Sequence, residues 1–258
     1  MLHTVISGTG QPVVMLHGFA TSHTYWNRVL RYIPQDIFQV STPDMLGFGQ
    51  SHKPDESDYD VDEHADAVVS SILQISNEPV ILVGHSMGAM VATRIAKRYP
   101  QLVIRLVLVN MPLFSDKDRS EQAILRNLPL LHRAYVSPIG KALHVTRETK
   151  ITKTVPRVMY PKSPEVQEVV AASLAHTRTS LLRSLHNTII AYKPMVDLQE
   201  ITVKTTFIYS RDDRYFSQDC FNRIDAMTHV ETVEIQGGHQ LPLRRPEAIG
   251  KAIIGSST

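Results

Sequence analysis

The chain has 258 residues, of which 43% are hydrophobic and 20% charged, with a formal net charge of +2 at pH 7. This composition is typical of a globular protein, and the length is within the range of one large α/β domain. No apolar stretch approaches the roughly 20 residues of a membrane span, the first residues lack the pattern of a signal peptide, and the one cysteine, Cys220, cannot form an internal disulfide. We therefore expect no membrane span and a reducing, cytoplasmic setting.

Six short apolar runs predict β-strands that are buried on both faces, because they lack the polar alternation of half-exposed strands. They cover residues 12–17, 37–42, 79–84, 105–110, 205–210 and 230–235.

Helical patterns lie between several of these runs. The first follows Asp60, which is a suitable N-cap. Its apolar residues are spaced to form one stripe and are Val61, Ala65, Val68, Val69, Ile72 and Leu73. A second helix is predicted from about Met87 to Tyr99, ending before Pro100.

The alternation of strands and helices predicts an α/β fold with a mostly parallel, twisted sheet flanked by helices. In such folds ligands bind at the carboxyl ends of the strands. The alternation stops after Asn110 and resumes near Thr205, and the stretch between them has a helical, proline-containing composition. We predict a core made of residues 1–112 and 191–258, with a helical cap, or lid, inserted at 113–190.

The middle of the chain is basic. Residues 113–193 contain 13 Lys plus Arg against 6 Asp plus Glu, a net charge of +7. Such a surface could attract an anionic substrate, although a solvated face is the commoner explanation. The candidates for anion contact are Arg126, Arg133, Arg157, Arg178 and Arg183. No nucleic-acid motif accompanies these residues, so no nucleic-acid partner is predicted.

The stretch VILVGHSMGAMVA, residues 80–92, places a serine between glycines where a predicted strand meets a predicted helix. A tight strand-to-helix turn lifts the central side chain out of the sheet, and small neighbours let the backbone pass without a clash. Gly84, His85 and Gly88 therefore predict a nucleophile elbow around Ser86. A purely structural turn is the alternative interpretation.

A serine hydroxyl needs a base to become a good nucleophile, and the base needs an acid to orient it. We predict His239 as the base, because it lies in a glycine-rich loop after the last predicted strand. A histidine that only bonds a loop carbonyl is the alternative. Asp213 is preferred to Asp212 as the acid, because it lies one residue further beyond the strand. Asp116 and Asp118 are the remaining candidates.

The order Ser86, Asp213, His239, together with LHGFATSHTYW at 16–26 and PDMLGFGQS at 43–51, resembles the α/β-hydrolase superfamily. Within it, the chain resembles the small single-chain esterases that carry an inserted helical lid. The resemblance covers nearly the whole chain outside the predicted cap.

This resemblance implies an oxyanion hole formed by the backbone N–H groups of Phe19 and Met87. It also implies that His17 holds the Phe19 loop by a local hydrogen bond and takes no part in proton transfer. Trp26 and Phe48 are candidates for the wall of a substrate pocket, with core packing as the alternative role.

The chain departs from the family pattern in two ways. Members usually carry an antiparallel strand at the N-terminus, and because only about ten residues precede VVMLH we expect the sheet to lack that edge strand. The family often has glycine at the positions of Ala89 and Ser210. The departure at Ser210 bears on the choice of Asp213 as the acid.

These residues predict hydrolysis of a carboxylic ester in a small-molecule substrate through an acyl-enzyme on Ser86. Thioester hydrolysis and C–C bond cleavage could use the same machinery. A ligand receptor that retains the fold is the alternative from another class. No cofactor is predicted, and no metal, because the sequence lacks HExxH and clustered Cys and His residues at ligand spacing. The oligomeric state is not predicted.

Overall fold

The computed structural model describes residues 1–114, 124, 126 and 164–255. Within these ranges seven strands form a single sheet in the spatial order β1-β3-β2-β4-β5-β6-β7. The strands are β1 Thr4–Ser7, β2 Gln11–Leu16, β3 Phe38–Pro43, β4 Val80–His85, β5 Val103–Val109, β6 Thr205–Tyr209 and β7 Val230–Glu234. All neighbouring pairs from β3 to β7 are parallel. The predicted parallel α/β sheet is therefore confirmed.

The first strand corrects one expectation. The sheet does have an N-terminal edge strand, because β1 pairs antiparallel with β3 from Thr4 opposite Pro43 to Ser7 opposite Val40. About ten residues are enough, since the strand is only four residues long and the connection to β2 takes three. Its exposed position explains why Val5 and Ile6, at 40% and 49% exposure, gave no buried-strand signal.

Helices flank the sheet. They are α1 Asn27–Leu30, α2 Val61–Ile75, α3 Met87–Arg98, α4 Pro164–Ala172, α5 Arg178–Arg183, α6 Pro194–Glu200, α7 Gln218–Asp225, α8 Leu241–Arg244 and α9 Pro246–Ile254. The structure also contains two 3-10 turns, His23–Trp26 and Pro100–Leu102, and a π-helical segment, Ser184–Ile190. No helix in the part of the chain that the structure describes is long and apolar enough to cross a membrane.

Successive residues of the central strands feed two hydrophobic cores, one on each face of the sheet. In β4, Val80 and Leu82 face the core that contains α2 and α3, whereas Ile81 and Val83 face the core that contains Trp26. This double burial is the reason that the strands read as continuous apolar runs.

Helix α2 begins as predicted, with the Asp60 carboxylate accepting the Glu63 N–H at 2.9 Å. Five of the six residues of its predicted apolar stripe are buried, but Leu73 is 57% exposed. Including Leu73 was wrong, because it lies one residue, about 100° of helix rotation, beyond the buried Ile72. Arg94 of α3 holds α2 through Asp62, with Nε 2.8 Å from Oδ1.

The described part of the predicted cap lies against the loop that precedes α2. The Ser180 hydroxyl donates to the Gly47 carbonyl at 2.9 Å, and the Thr188 hydroxyl to the Tyr59 carbonyl at 2.7 Å. Glu165 of α4 forms ion pairs with Arg28 and Arg31. The boundaries 113–190 stay a prediction, since most of residues 115–163 lie outside the described ranges.

The stability of the folded chain depends on pH through one buried histidine in this region. His64 of α2 is fully buried, its Nε2 lies 3.2 Å from the Ser184 hydroxyl, and burial lowers its pKa to about 4. The unfolded chain, with an ordinary histidine pKa near 6.5, therefore binds this proton at a higher pH than the folded chain. Stability is lost as pH falls from about 6.5 to about 4.

The replacement His64→Gln removes this titration while keeping an amide that can reach Ser184. Urea unfolding at pH 7 and pH 4.5 should show the wild type losing roughly 2 kcal/mol more stability than the variant between the two values. The exposed His52→Gln is the matched control and should lose as much as the wild type. Equal losses in all three proteins would contradict the buried, neutral state of His64.

Candidate active site

Three side chains from distant parts of the chain meet at the carboxyl edge of the sheet. Ser86 follows β4, Asp213 follows β6 and His239 follows β7. The His239 ring bridges the other two, with Nε2 3.0 Å from Ser86 Oγ and Nδ1 2.8 Å from Asp213 Oδ2. The ring can thus take a proton from Ser86 while Asp213 fixes its orientation. This is the arrangement that activates a serine.

Ser86 stands in a strained turn. Its φ is +54°, in the left-handed region that side chains other than glycine rarely adopt, at a cost of about 1–3 kcal/mol. A Cβ on Gly84 would lie 2.3 Å from the Gly88 carbonyl oxygen, and a Cβ on Gly88 would lie 2.5 Å from the Leu16 carbonyl oxygen. Both predicted glycines are therefore needed, because strand and helix pass too closely for any side chain. The turn leaves Ser86 at the start of α3.

The Asp213 carboxylate is buried in a set of donors. Oδ2 accepts a hydrogen bond from Asn110 Nδ2 at 2.7 Å, and Oδ1 accepts one from the Tyr215 N–H at 2.9 Å. Burial disfavours its charge, but these bonds and the contact with His239 outweigh burial and hold the pKa of Asp213 below its usual value. Asn110 was not predicted as a site residue, although its place at the end of β5, on the same edge, was a usable signal.

Ser210 and Asp212 have a different function from Asp213. The Ser210 hydroxyl donates to the Asp212 carboxylate and accepts the N–H groups of Gly237 and Gly238, each at 3.1 Å. The Asp212 carboxylate also accepts the Gly238 N–H, at 3.1 Å. The serine that departs from the family pattern thus helps to fix the loop that carries His239. The other candidate acids, Asp116 and Asp118, lie outside the described residues.

A second histidine fixes the same loop from the other side. His85 Nε2 donates to the carbonyl oxygen of His239 at 2.8 Å, and its ring stacks on Tyr25 with centroids 4.8 Å apart. Tyr25 in turn donates to Gln240 Oε1 at 2.6 Å. Burial lowers the pKa of His85 to about 3, so this ring is neutral. Tyr25 lies within the stretch LHGFATSHTYW, but neither it nor Gln240 was predicted as a site residue.

Of the two residues predicted to supply oxyanion donors, Met87 directly follows Ser86 in the chain, and Phe19 directly follows Gly18, which lies near Ser86. Met87 is the first residue of α3, where backbone N–H groups lack partners within the helix. The loop of Phe19 is close, since a Cβ on Gly18 would lie 3.4 Å from Ser86 Cβ. His17 holds this loop locally, accepting the Met45 N–H at Nε2 (2.9 Å) and donating from Nδ1 to the Gly18 carbonyl (2.8 Å).

The predicted pocket residues are both fully buried. Trp26 lies in the core on one face of the sheet, edge-on to His85 with ring centroids 6.5 Å apart. Phe48 lies in the other core, edge-on to Phe19 at 5.9 Å and to His176 at 6.4 Å. Packing therefore accounts for Trp26, whereas Phe48 links the Phe19 loop to the described part of the cap.

The structure describes three of the five arginines that were predicted as candidates for anion contact. Arg126 is exposed, and Arg183 donates to the carbonyl oxygens of Asp55 and Ser57. The Nε atom of Arg178 is buried without a hydrogen-bond partner among the described residues. Arg133 and Arg157 lie outside those residues. Arg183 thus links the described part of the cap to the loop that precedes α2.

The comparisons with known proteins concern the family and the fold. A family model for the alpha/beta hydrolase fold matches residues 11–242. An uncharacterized protein of Mycobacterium tuberculosis is 32% identical over 181 residues, which cover 70% of this chain and 49% of that protein. The 2-hydroxymuconate semialdehyde hydrolase of Pseudomonas sp. (strain CF600) is 37% identical over 105 residues, 40% of this chain and 37% of that enzyme. The chain thus matches half or less of the length of these relatives.

The fold is shared over nearly its whole extent with solved structures. An esterase from Exiguobacterium antarcticum superimposes with a TM-score of 0.77 at 18% sequence identity. The match covers 98% of this chain and 94% of the esterase. At this level of identity the likeness concerns the fold.

Proposed function

Because the chain belongs to the alpha/beta hydrolase fold family, we propose that it is a serine hydrolase that cleaves a carboxylic ester of a small-molecule substrate through an acyl-enzyme on Ser86. The observation that carries the proposal is the position of His239, within hydrogen-bond distance of both Ser86 Oγ and Asp213 Oδ2. A turn that had only a structural role would not require this pairing of a strained serine with an oriented base.

The first half of the reaction forms the acyl-enzyme. His239 Nε2 takes the proton of the Ser86 hydroxyl as Oγ attacks the ester carbonyl carbon. The carbonyl oxygen becomes an oxyanion. When the tetrahedral intermediate collapses, the bond to the alcohol oxygen breaks and the protonated His239 gives its proton to that oxygen. The alcohol leaves, and the acyl group remains on Ser86.

In the second half, water is the nucleophile and Ser86 is the leaving group. A water molecule gives a proton to His239 Nε2 and attacks the acyl carbon, and collapse of the second intermediate returns the proton to Ser86 Oγ. The carboxylic acid is released and the enzyme is regenerated. Asp213 stays ionised throughout, which its lowered pKa supports, and it stabilises the imidazolium that forms twice in each cycle.

The oxyanion is assigned to the backbone N–H groups of Phe19 and Met87. The Met87 donor lies at the positive end of the α3 dipole, which favours negative charge there. By analogy with measured oxyanion-hole donors, each would stabilise the transition state by roughly 3 to 4 kcal/mol. In this proposal the cap at 113–190 covers the site and selects the acyl group.

Two other substrate classes need no change in this machinery. A thioester presents the same carbonyl to Ser86, and a C–C bond beside a carbonyl can be cleaved when the leaving carbon is stabilised. The name of the Pseudomonas relative, a semialdehyde hydrolase, is a reason to include a diketone-like compound among the test substrates. Ligand binding without turnover is the alternative of another class.

Replacing Ser86 by Ala separates enzyme from receptor. With short p-nitrophenyl esters we expect the wild type to turn over many times. The variant should lose about 10⁶-fold in kcat, the loss recorded for removal of a triad serine. Wild type that binds the ester but releases less than one equivalent of p-nitrophenol would favour the receptor. Ser70→Ala, at an exposed serine of α2, is the control and should keep most of the activity.

The two adjacent aspartates provide a matched pair. Asp213→Asn should lower kcat about 10⁴-fold, because an amide holds the wrong tautomer of His239. Asp212→Asn changes the same group one residue earlier, where the carboxylate holds a backbone loop, and should lower kcat far less. Steady-state kinetics on one ester compares them. A larger loss of kcat for Asp212→Asn than for Asp213→Asn would show that Asp213 is not the acid.

His85 is a positioning residue whose bond to the His239 carbonyl can be removed. We expect His85→Phe to lower kcat by about 10²-fold with little change in KM, because a small displacement of the base is enough for such a loss. His85→Gln retains a donor and should recover much of this activity. If both variants lost the same factor, or if only KM changed, the hydrogen bond would not position the base.

A further inference from the structure

A group of metal-ligating side chains lies at the carboxyl edge of the sheet, apart from the triad. His3 precedes β1, His23 begins the 3-10 turn after β2, and Asp44 follows β3. Because β1 runs antiparallel to β3, its first residue lies beside the last residue of β3. One ligand atom from each of the three side chains lies within 4.8 Å of the other two.

We propose that His3, His23 and Asp44 bind a divalent transition-metal ion of which Zn²⁺ is the representative. Two imidazoles and one carboxylate are a ligand set that suits zinc and related ions, with water in the remaining position. The sequence predicted no metal, because these ligands are about 20 residues apart and form no spacing motif. The antiparallel edge strand is what brings His3 to the other two.

The backbone holds the three residues in place before any ion binds. The Asp44 N–H donates to the His3 carbonyl at 2.8 Å, and the His3 N–H donates to Ser51 Oγ at 2.9 Å. The Asp44 carboxylate accepts the N–H groups of His23, at 2.6 Å, and of Gln50, at 2.8 Å. Ligands fixed in this way lose little conformational entropy when an ion binds.

The cluster leaves one buried nitrogen without a partner. The Asp44 side chain is fully buried, and its carboxylate is already paired with His23 and with two backbone N–H groups. The Nε2 atom of His3 is buried and has no hydrogen-bond partner among the described residues. A hydrogen bond between His23 Nδ1 and Asp44 Oδ1, at 2.9 Å, satisfies part of this cluster but not His3. A metal ion would satisfy all three groups at once.

The geometry requires a small adjustment. Ligand atoms around a tetrahedral zinc ion are about 3.4 Å apart, given metal–ligand distances of about 2.1 Å. The longest pair in the cluster would have to shorten by at most about 1.4 Å. His3 is only partly buried, so its ring can turn toward His23 and Asp44, whose own hydrogen bond of 2.9 Å the ion would replace.

The test uses the whole chain, stripped of metal with a chelator and then desalted. Zn²⁺ is titrated by calorimetry, and Co²⁺ is titrated by its visible absorption, which reports coordination geometry. We expect one ion per chain and at least a tenfold loss of affinity in His3→Ala. The thermal midpoint of the wild type should rise with Zn²⁺, and that of His3→Ala should not. Asp44 is left unchanged, because its carboxylate also holds the loop backbone.

Three controls make the outcome decisive. His52→Ala, an exposed histidine on the same loop, should bind as the wild type does. His239→Gln should also bind Zn²⁺ with the affinity of the wild type. This control is needed because Zn²⁺ can bind a triad histidine, and binding at His239 would be lost in this variant. His23→Gln is a second ligand variant in case His3→Ala misfolds. Absence of binding by the wild type, unchanged binding in both ligand variants, or loss in His239→Gln would each overturn the proposal.

Discussion

The site depends on one imidazole ring held on all sides. His239 must keep Nε2 toward Ser86 and Nδ1 toward Asp213, and a loop residue can do this only if its backbone is fixed. Ser210 and Asp212 hold the amides of the two preceding glycines, and His85 holds the carbonyl of His239 itself. The ring therefore has its orientation set before a substrate arrives, which is the main requirement for a general base.

Residues of this site also lower the stability of the folded chain. Ser86 adopts a backbone conformation that costs about 1–3 kcal/mol, and Asp213 keeps its charge while buried. His85 is buried in neutral form, which costs stability as the pH falls. The two hydrophobic cores, one on each face of the sheet, offset these losses and keep the strand ends in register. The strained groups lie where the proposed chemistry needs them.

The sequence predicted the features that depend on local pattern. Apolar runs predicted six strands, and Gly84 and Gly88 predicted the turn at Ser86 because no side chain fits there. The expected burial on both faces was wrong for β7, an edge strand in which no residue is fully buried and Glu231 and Glu234 are exposed. The sequence did not predict β1, whose exposed residues give no apolar run. Asn110 was seen only as the end of a strand.

Other contacts escaped prediction for the same reason. Tyr25 and Gln240 are 215 residues apart in the chain, and no local pattern indicates the hydrogen bond between them. The cluster of His3, His23 and Asp44 likewise depends on the pairing of β1 with β3. Such contacts between residues far apart in the chain can be predicted only once the order and direction of the strands are known.

The central claim is that Ser86 is a nucleophile activated by His239. A fluorophosphonate probe reacts covalently with such serines, and peptide mapping by mass spectrometry identifies the residue that carries it. We expect one adduct per chain, on Ser86, and we expect labelling to be greatly slowed in His239→Gln. An adduct on another residue, or labelling of Ser86 at the same rate without His239, would contradict it.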